Sequence, residues 1–225
     1  FSMFPLFMLA KEAHKHVKIV LSGEGADELF SGYTRYLIMV HEEELFKHPS
    51  MRNYSPLLDY YYGQKIDRFS RLLNRGNVSD DVVKSVITKH FSQFDDIVHQ
   101  MGYTEFKLML ITLLHMEDRT AAAFGMENRS PFLDHRLIEF AFSIPGDLKI
   151  KDMTPKWIFR EVAKRYIPKS IIERTEKMGL IAPINVWLHF RGSIGEYDRG
   201  AYNKLCMEKW LQVYFEEMRF KSLYR

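Results

Sequence analysis

Val17-Lys-Ile-Val-Leu-Ser22 constrains this chain more than any other stretch, because it is the only run that reads convincingly as a β-strand. Ile19-Val-Leu21 is continuously apolar, as in a parallel strand covered on both faces. A glycine-marked turn follows at Gly23-Glu-Gly25. A helix is then predicted from Asp27 to about Glu44, with Leu29, Tyr33, Tyr36, Leu37 and Val40 at near-helical spacing. Upstream, Phe4 to His16 reads as a helix with Pro5 in its first turn, where a missing N–H costs little. Helix, strand, glycine turn, helix is the end of a doubly wound α/β unit. A single strand forms no sheet alone, so the other strands are expected from residues outside this chain or from a partner.

The rest of the chain reads as helical. Helices are expected over 78–91 and 103–125, the latter with Phe106, Met109, Leu110, Leu113, Leu114 and Glu117 in period. Glu127 to Asp134 (ENRSPFLD) reads as a loop, and Asp134 can cap a helix running to Ser143. Thr154 is expected to cap another helix with Pro155 at its first position. KMGLIAPI is a glycine- and proline-marked loop, and 203–224 a last amphipathic helix. Hydrophobic residues at 46% suffice for a packed core. A net charge of +3 lacks the basic stripe of a duplex-nucleic-acid binder. No apolar run approaches the length of a membrane span. FSMFPLFMLA lacks the basic region and cleavage site of a signal peptide, so a buried first helix is expected there. A single cysteine, Cys206, excludes an internal disulfide and points to a reducing compartment, the cytoplasm.

The glycine turn poses a chemical question. A strand followed by G-x-G and a helix presents backbone N–H groups to an anion, yet this turn carries Glu24, Asp27 and Glu28. Only Gly23 and Gly25 fit; the third glycine of a dinucleotide fingerprint and the Lys-Ser/Thr of a P-loop are absent. In one reading the glycines close a tight turn and the acids complement a helix N-terminus. In the other, a nucleotide arrives with Mg²⁺, a hard cation that takes carboxylate oxygens together with phosphates. Asp27 would then supply one oxygen, and Glu24 would face the reacting centre as a base or electrostatic group. Spacing alone leaves both open.

SGEGADELFSGYTRY resembles a signature of glutamine-dependent asparagine synthetases, in their synthetase domain. Leu113 to Ile150 resembles that family's D-R pair followed by an E-x-R-x-P-F-L-D run, and Thr154 to Leu188 resembles its closing segment. The resemblance implies an α/β parent fold of the ATP-pyrophosphatase type, with this chain mostly α-helical and its sheet incomplete. It implies adenylation of aspartate by ATP, then attack by ammonia drawn from glutamine, giving asparagine, AMP and pyrophosphate. It assigns Ser22, Gly23 and Gly25 to the nucleotide-side wall, Glu24 to adenylation and ammonia attack, and Asp27 to Mg²⁺. Lys156 would steady the departing pyrophosphate, and Lys177 lies in a loop bordering the site. The family's S-G-G-x-D-S phosphate loop and N-terminal-cysteine glutaminase are not in this sequence. The chain is therefore expected to be the C-terminal portion of one synthetase-like domain, inactive alone.

Other readings stay beside these. Asp118 and Arg119 read first as a structural ion pair, and Arg129 with Asp134 as the fixing of the ENRSPFLD loop. His14 and His16, two apart, share no helix face and are not read as metal ligands. Tyr60, Tyr61 and Tyr62 read as core or interface. A glutamate at position 24, where β-lactam synthetases typically have tyrosine, favours amidation by ammonia over ring closure. The rival of another class is a non-catalytic helical interaction module that keeps the family fold. Partners are expected to be small molecules, with no nucleic acid and no membrane, and a homodimer is carried as an expectation of assembly.

Overall fold

The computed structural model of the chain describes residues 3–41, 80–173, 207–208 and 211–212. The expected positions Tyr60–Tyr62, Lys177, Cys206 and most of the last helix lie outside them. The chain divides into two units, Phe1–Lys15 with Met178–Arg225, and His16–Lys177. In the first unit, helix α1 spans Met3–Ala13. It is not the buried helix the sequence suggests: Ala10 is buried, but Met3, Phe7, Met8 and Leu9 are exposed.

The second unit holds the acidic turn. Strand β1 (Ile19–Leu21) has a partner the sequence reading missed, β2 (Glu127–Arg129), which pairs with it in parallel. Val20 lies opposite Asn128, and Leu21 opposite Arg129. The ladder extends at both ends through Glu127 N–H to the Lys18 carbonyl at 2.9 Å and Ser22 N–H to the Arg129 carbonyl at 2.9 Å. ENR reads as a loop because a three-residue polar strand has no apolar period to reveal it. Burial differs from expectation too: Ile19 and Leu21 are exposed rather than covered.

The helix expected from Asp27 to Glu44 is two helices, α2 (Ala26–Phe30) and α3 (Thr34–Val40). Ser31 turns left-handed at φ 60°, and the Gly32 N–H bonds back to the Asp27 carbonyl at 2.9 Å. That long back-bond closes α2 as a Schellman-type cap does. Helix α4 spans Asp80–Phe91 and α5 spans Ile97–Ala122. The latter starts well before Tyr103 because Asp96 caps it, accepting from the His99 N–H at 3.1 Å. Helix α6 (His135–Ser143) is capped as expected, with the Asp134 carboxylate accepting the Arg136 N–H at 2.9 Å.

Beyond α6, helix α7 (Gly146–Lys149) leads into a hairpin of β3 (Ile150–Lys151) and β4 (Thr154–Pro155). The helix predicted to begin at Thr154 therefore begins later, as α8 (Trp157–Ala163), with α9 (Lys169–Ile172) after it. Asp152 and Met153, at φ 49° and 57°, form the two-residue turn that a hairpin requires. Thr154 and Pro155 are consumed by strand pairing instead of capping.

Two apolar clusters organise the unit. One joins Tyr36 and Met39 of α3 to Ile87, Phe91, Val98, Met101 and Ile150. The other joins Leu29 and Phe30 of α2 to Ala141 and Ile144, with Phe132, Ile158 and Phe159 packed against it. Phe30, Phe132 and Phe159 form a ring triad with centroids 5.3 to 6.4 Å apart. Lys149 is buried, its ammonium 5.1 Å from the Phe142 ring. Burial pulls its pKa down to about 8, against the attraction of Asp96. Among the described residues no helix is long and apolar enough to cross a membrane.

A buried polar brace ties α3 to α5. The Arg35 guanidinium donates to the fully buried Glu105, and the Tyr36 hydroxyl donates to the other Glu105 oxygen at 3.0 Å. Arg35 also lies over the Tyr33 ring, 3.9 Å from its centroid. Removing one partner of a buried pair strands the other charge, at a cost of about 3–5 kcal/mol. Arg35→Met should therefore cost about that much in denaturant unfolding, whereas Tyr36→Phe, a single hydrogen bond, should cost roughly 1–3 kcal/mol. Equal small losses for both would show that the brace does not hold α3.

Candidate active site

The turn between β1 and α2 is fixed from both sides. Gly25 adopts φ 89°, which side-chain-bearing residues rarely tolerate, and a Cβ there would sit 2.6 Å from Leu133 Cδ2. Gly23 has ordinary backbone geometry and faces open space. The half-buried Ser22 meets Ser130 hydroxyl to hydroxyl at 2.7 Å, linking the turn to the loop after β2. Helix α2 has only 5 residues. The long dipole expected of an Asp27-to-Glu44 helix is therefore absent, and side chains must balance the acids.

Each acid has a different solution. Asp27 pairs with Lys156, Oδ1 to Nζ at 2.9 Å, and both side chains are about one-quarter exposed (26% and 23%). Lys156 is at the hairpin exit, left-handed at φ 56°. Glu28 is buried and accepts the Tyr33 hydroxyl at 2.5 Å. Its second oxygen, and the hydroxyl of Ser31, are buried without a hydrogen-bond partner among the described residues. Burial raises the Glu28 pKa, partly offset by the bond from Tyr33.

Glu24 meets another acid. Its carboxyl faces that of Glu117 on α5, which accepts from the Asn128 amide on β2. Burial, then the charges of Glu117, Glu28 and Asp27, push the Glu24 pKa up to about 7. Burial disfavours the charged form of Glu24, and the neighbouring negative charges add to that effect. Glu117 also lines an open cavity of about 230 Å³ with Leu114, Asp118, Asn128, Ser130 and Leu133. Sequence reading treated Glu117 only as a period-keeping position of the helix. The usable signal was an acid where the apolar face of α5 demands an aliphatic.

Ser22, Glu24 and Asp27 thus share one turn, and the hairpin brings Lys156 to it; Lys177 lies outside the described residues. Asp118 and Arg119 do not form the expected ion pair, because consecutive helix residues point in different directions. Both are exposed, and Asp118 lines the cavity instead. Nor do Arg129 and Asp134 pair. Arg129 bonds Glu127 at 2.8 Å, its same-face neighbour on β2, and Asp134 holds Arg136. Among the described residues no group of three or more His, Cys, Asp or Glu side chains could hold a metal ion. The donor set fits a divalent cation only as one carboxylate, Asp27, shared with ligand oxygens, a mode that Mg²⁺ uses.

The raised Glu24 pKa has a definite sign in stability. Unfolded, the group titrates at 4.5; folded, at about 7. Its favourable contribution is complete below the unfolded value and is lost as pH rises through about 7. Glu24→Gln, which cannot ionise, should therefore gain thermal stability relative to the parent chain between pH 5 and 8. The two melting temperatures should differ little at pH 4. A difference that stays constant from pH 4 to 8 would contradict the raised Glu24 pKa.

The model of the asparagine synthase family matches residues 2–225. Asparagine synthetase [glutamine-hydrolyzing] 1 of Bacillus subtilis is 34% identical over 215 residues, covering 82% of this chain and 34% of the relative. A putative asparagine synthetase [glutamine-hydrolyzing] of Mycobacterium tuberculosis is 28% identical over 230 residues, covering 89% of this chain and 34% of that protein. The Gallus gallus asparagine synthetase is 27% identical over 175 residues, covering 75% and 30%. The chain spans about a third of the length of the curated relatives it matches. No solved structure matches it. With the family model covering nearly every residue, the chain belongs to the asparagine synthase family.

Proposed function

We propose that this chain carries the acidic wall of an ATP-dependent amide-forming site, in which aspartate is adenylated and an amine, ammonia drawn from glutamine, then displaces AMP. The observation that carries this reading is the 2.9 Å pairing of Asp27 with Lys156 on the turn that also bears Glu24. It joins a cation, a metal-competent carboxylate and a carboxyl poised near neutral pH.

In the first step a carboxylate oxygen of the acid attacks the α-phosphorus of ATP, and the bond to pyrophosphate breaks. Negative charge grows on the departing group, where a fixed cation stabilises the transition state most. Lys156, a compact charge on a flexible stem, reaches from Asp27 toward that charge. Mg²⁺, held by Asp27 together with phosphate oxygens, would supply further neutralisation of the triphosphate. Ser22, Gly23 and Gly25 keep the backbone close to the nucleotide; the open space at Gly23 supports this.

In the second step the amine nitrogen attacks the acyl carbon, and the bond to AMP breaks. The nitrogen must shed a proton. Glu24 suits that task because burial and the neighbouring carboxylates push its pKa up to about 7, near the operating pH of a general base. With its pKa raised, Glu24 repels phosphates less than an ordinary carboxylate while keeping a basic oxygen for the amine.

Single-turnover measurements on the protein expressed from its whole reading frame test the division of roles. Lys156→Ala should lower pyrophosphate exchange into ATP by ~10²–10³. Glu24→Gln should leave exchange near the parent rate and lower amide formation by ~10²–10⁴. Asp27→Asn should raise the Mg²⁺ concentration needed for exchange. A Glu24→Gln variant with normal amide formation would remove Glu24 from the chemistry.

A further inference from the structure

We propose that Gly32 is a positioning residue: its missing side chain is the aperture through which Lys156 reaches Asp27. Glycine at this position does not serve backbone freedom, because positive φ among the described glycines occurs at Gly25 and Gly125, not at Gly32. Nor does ending helix α2 call for glycine here: Ser31 supplies the left-handed conformation, and the N–H of position 32 that closes the cap is one any residue but proline carries. What glycine supplies is space. A Cβ on Gly32 would lie 1.8 Å from Asp27 Oδ1, 2.1 Å from Lys156 Cε and 2.9 Å from Asp27 Cγ. Such separations are far inside van der Waals contact.

The identity of the atoms met is the informative part. All three nearest ones belong to the two partners of the ion pair, and none is backbone. Both side chains are flexible and partly exposed, so they can move off a new methyl group cheaply. Alanine at this position therefore attacks the pairing and spares the fold. The backbone on either side is already committed. Ser31 at φ 60° and Lys156 at φ 56° both hold left-handed conformations that non-glycine residues adopt only under constraint. Arg160 steadies the hairpin exit, donating to the Pro155 carbonyl at 3.1 Å and the Ile172 carbonyl at 2.6 Å. Two strained backbones thus converge on a gap that only a residue without a side chain leaves open.

The steric claim stands without any ligand; its catalytic meaning rests on the adenylation reading above. The two are separated by experiment. In this chain, the rate of Lys156 acetylation by dilute acetic anhydride, read by mass spectrometry, reports whether Asp27 shields the amine. Gly32→Ala should raise that rate by roughly 2–5-fold, the protection expected of a partly exposed ion pair. Asp27→Asn should raise it equally, and the double variant should gain nothing further, because both changes break one interaction. Circular dichroism should be unchanged. An unaltered rate in folded Gly32→Ala, or additive increases in the double variant, would overturn the proposal. Should Gly32→Ala fail to fold, Gly32→Ala with Asp27→Ala and Lys156→Ala decides, because it removes all three atoms a new methyl group would meet: recovery of the fold supports the aperture, and continued unfolding overturns it. In the protein from the whole reading frame, Gly32→Ala should lower pyrophosphate exchange, with little further loss when Lys156→Ala is added. Acetylation behaving as described with exchange unaffected would leave the aperture standing and remove the ion pair from adenylation.

Discussion

Carboxyl groups crowded onto one short turn are the constraint that the rest of this unit answers. Glu24, Asp27 and Glu28 fall within five consecutive residues, and Glu105 is buried on α5 against the helix that follows them. Helix α2 is too short to neutralise them by its dipole. Each carboxyl is compensated from a different direction. Asp27 takes the Lys156 ammonium, Glu28 the Tyr33 hydroxyl, and Glu105 the Arg35 guanidinium and Tyr36 hydroxyl. Glu24 lies against Glu117, and burial with the surrounding carboxylates pushes its pKa up to about 7. The compensators come from α3, α5 and the hairpin exit, so the turn draws the unit's elements to itself.

Among the described residues the helices support the turn more than the sheet does. The parallel pair of β1 and β2 only aims the turn. Helix α5 supplies two supports: Glu105 holds α3 through Arg35 and Tyr36, and Glu117 near the helix end faces Glu24 on the turn. The α7–hairpin–α8 segment packs into both apolar clusters and delivers Lys156 to the turn. Strained residues gather there and at Ser31. Backbone strain of this kind persists only when surrounding packing over-determines it. The Phe30, Phe132 and Phe159 triad supplies such packing.

Much of this was legible from the sequence, and the reasons for the rest are physical. The glycine turn, its acids and the Asp134 cap are local features, written in adjacent residues. The family was legible from three ordered blocks of such features. The parallel partner of β1 was not, because Glu127-Asn-Arg129 has no apolar alternation and becomes a strand only when β1 lies beside it. The break at Ser31 was hidden by a helical period that continues across it. The start of α8 was misread since Thr154 and Pro155 carry good capping chemistry that strand pairing overrides. Glu117 was hidden by its own regularity on α5. Contacts between the turn and the hairpin exit, such as Asp27 with Lys156, follow from tertiary placement and leave no spacing signature.

The central claim is that the site proposed around this turn activates a carboxylate by adenylation. Its most direct test follows an oxygen atom. The protein from the whole reading frame is supplied with ATP, Mg²⁺, an amine source and aspartate labelled with ¹⁸O in its side-chain carboxylate. Attack of that carboxylate on the α-phosphorus leaves one labelled oxygen on AMP when the amine displaces it. The account predicts AMP carrying a single ¹⁸O in proportion to amide formed. Unlabelled AMP, or ADP and phosphate in its place, would contradict it.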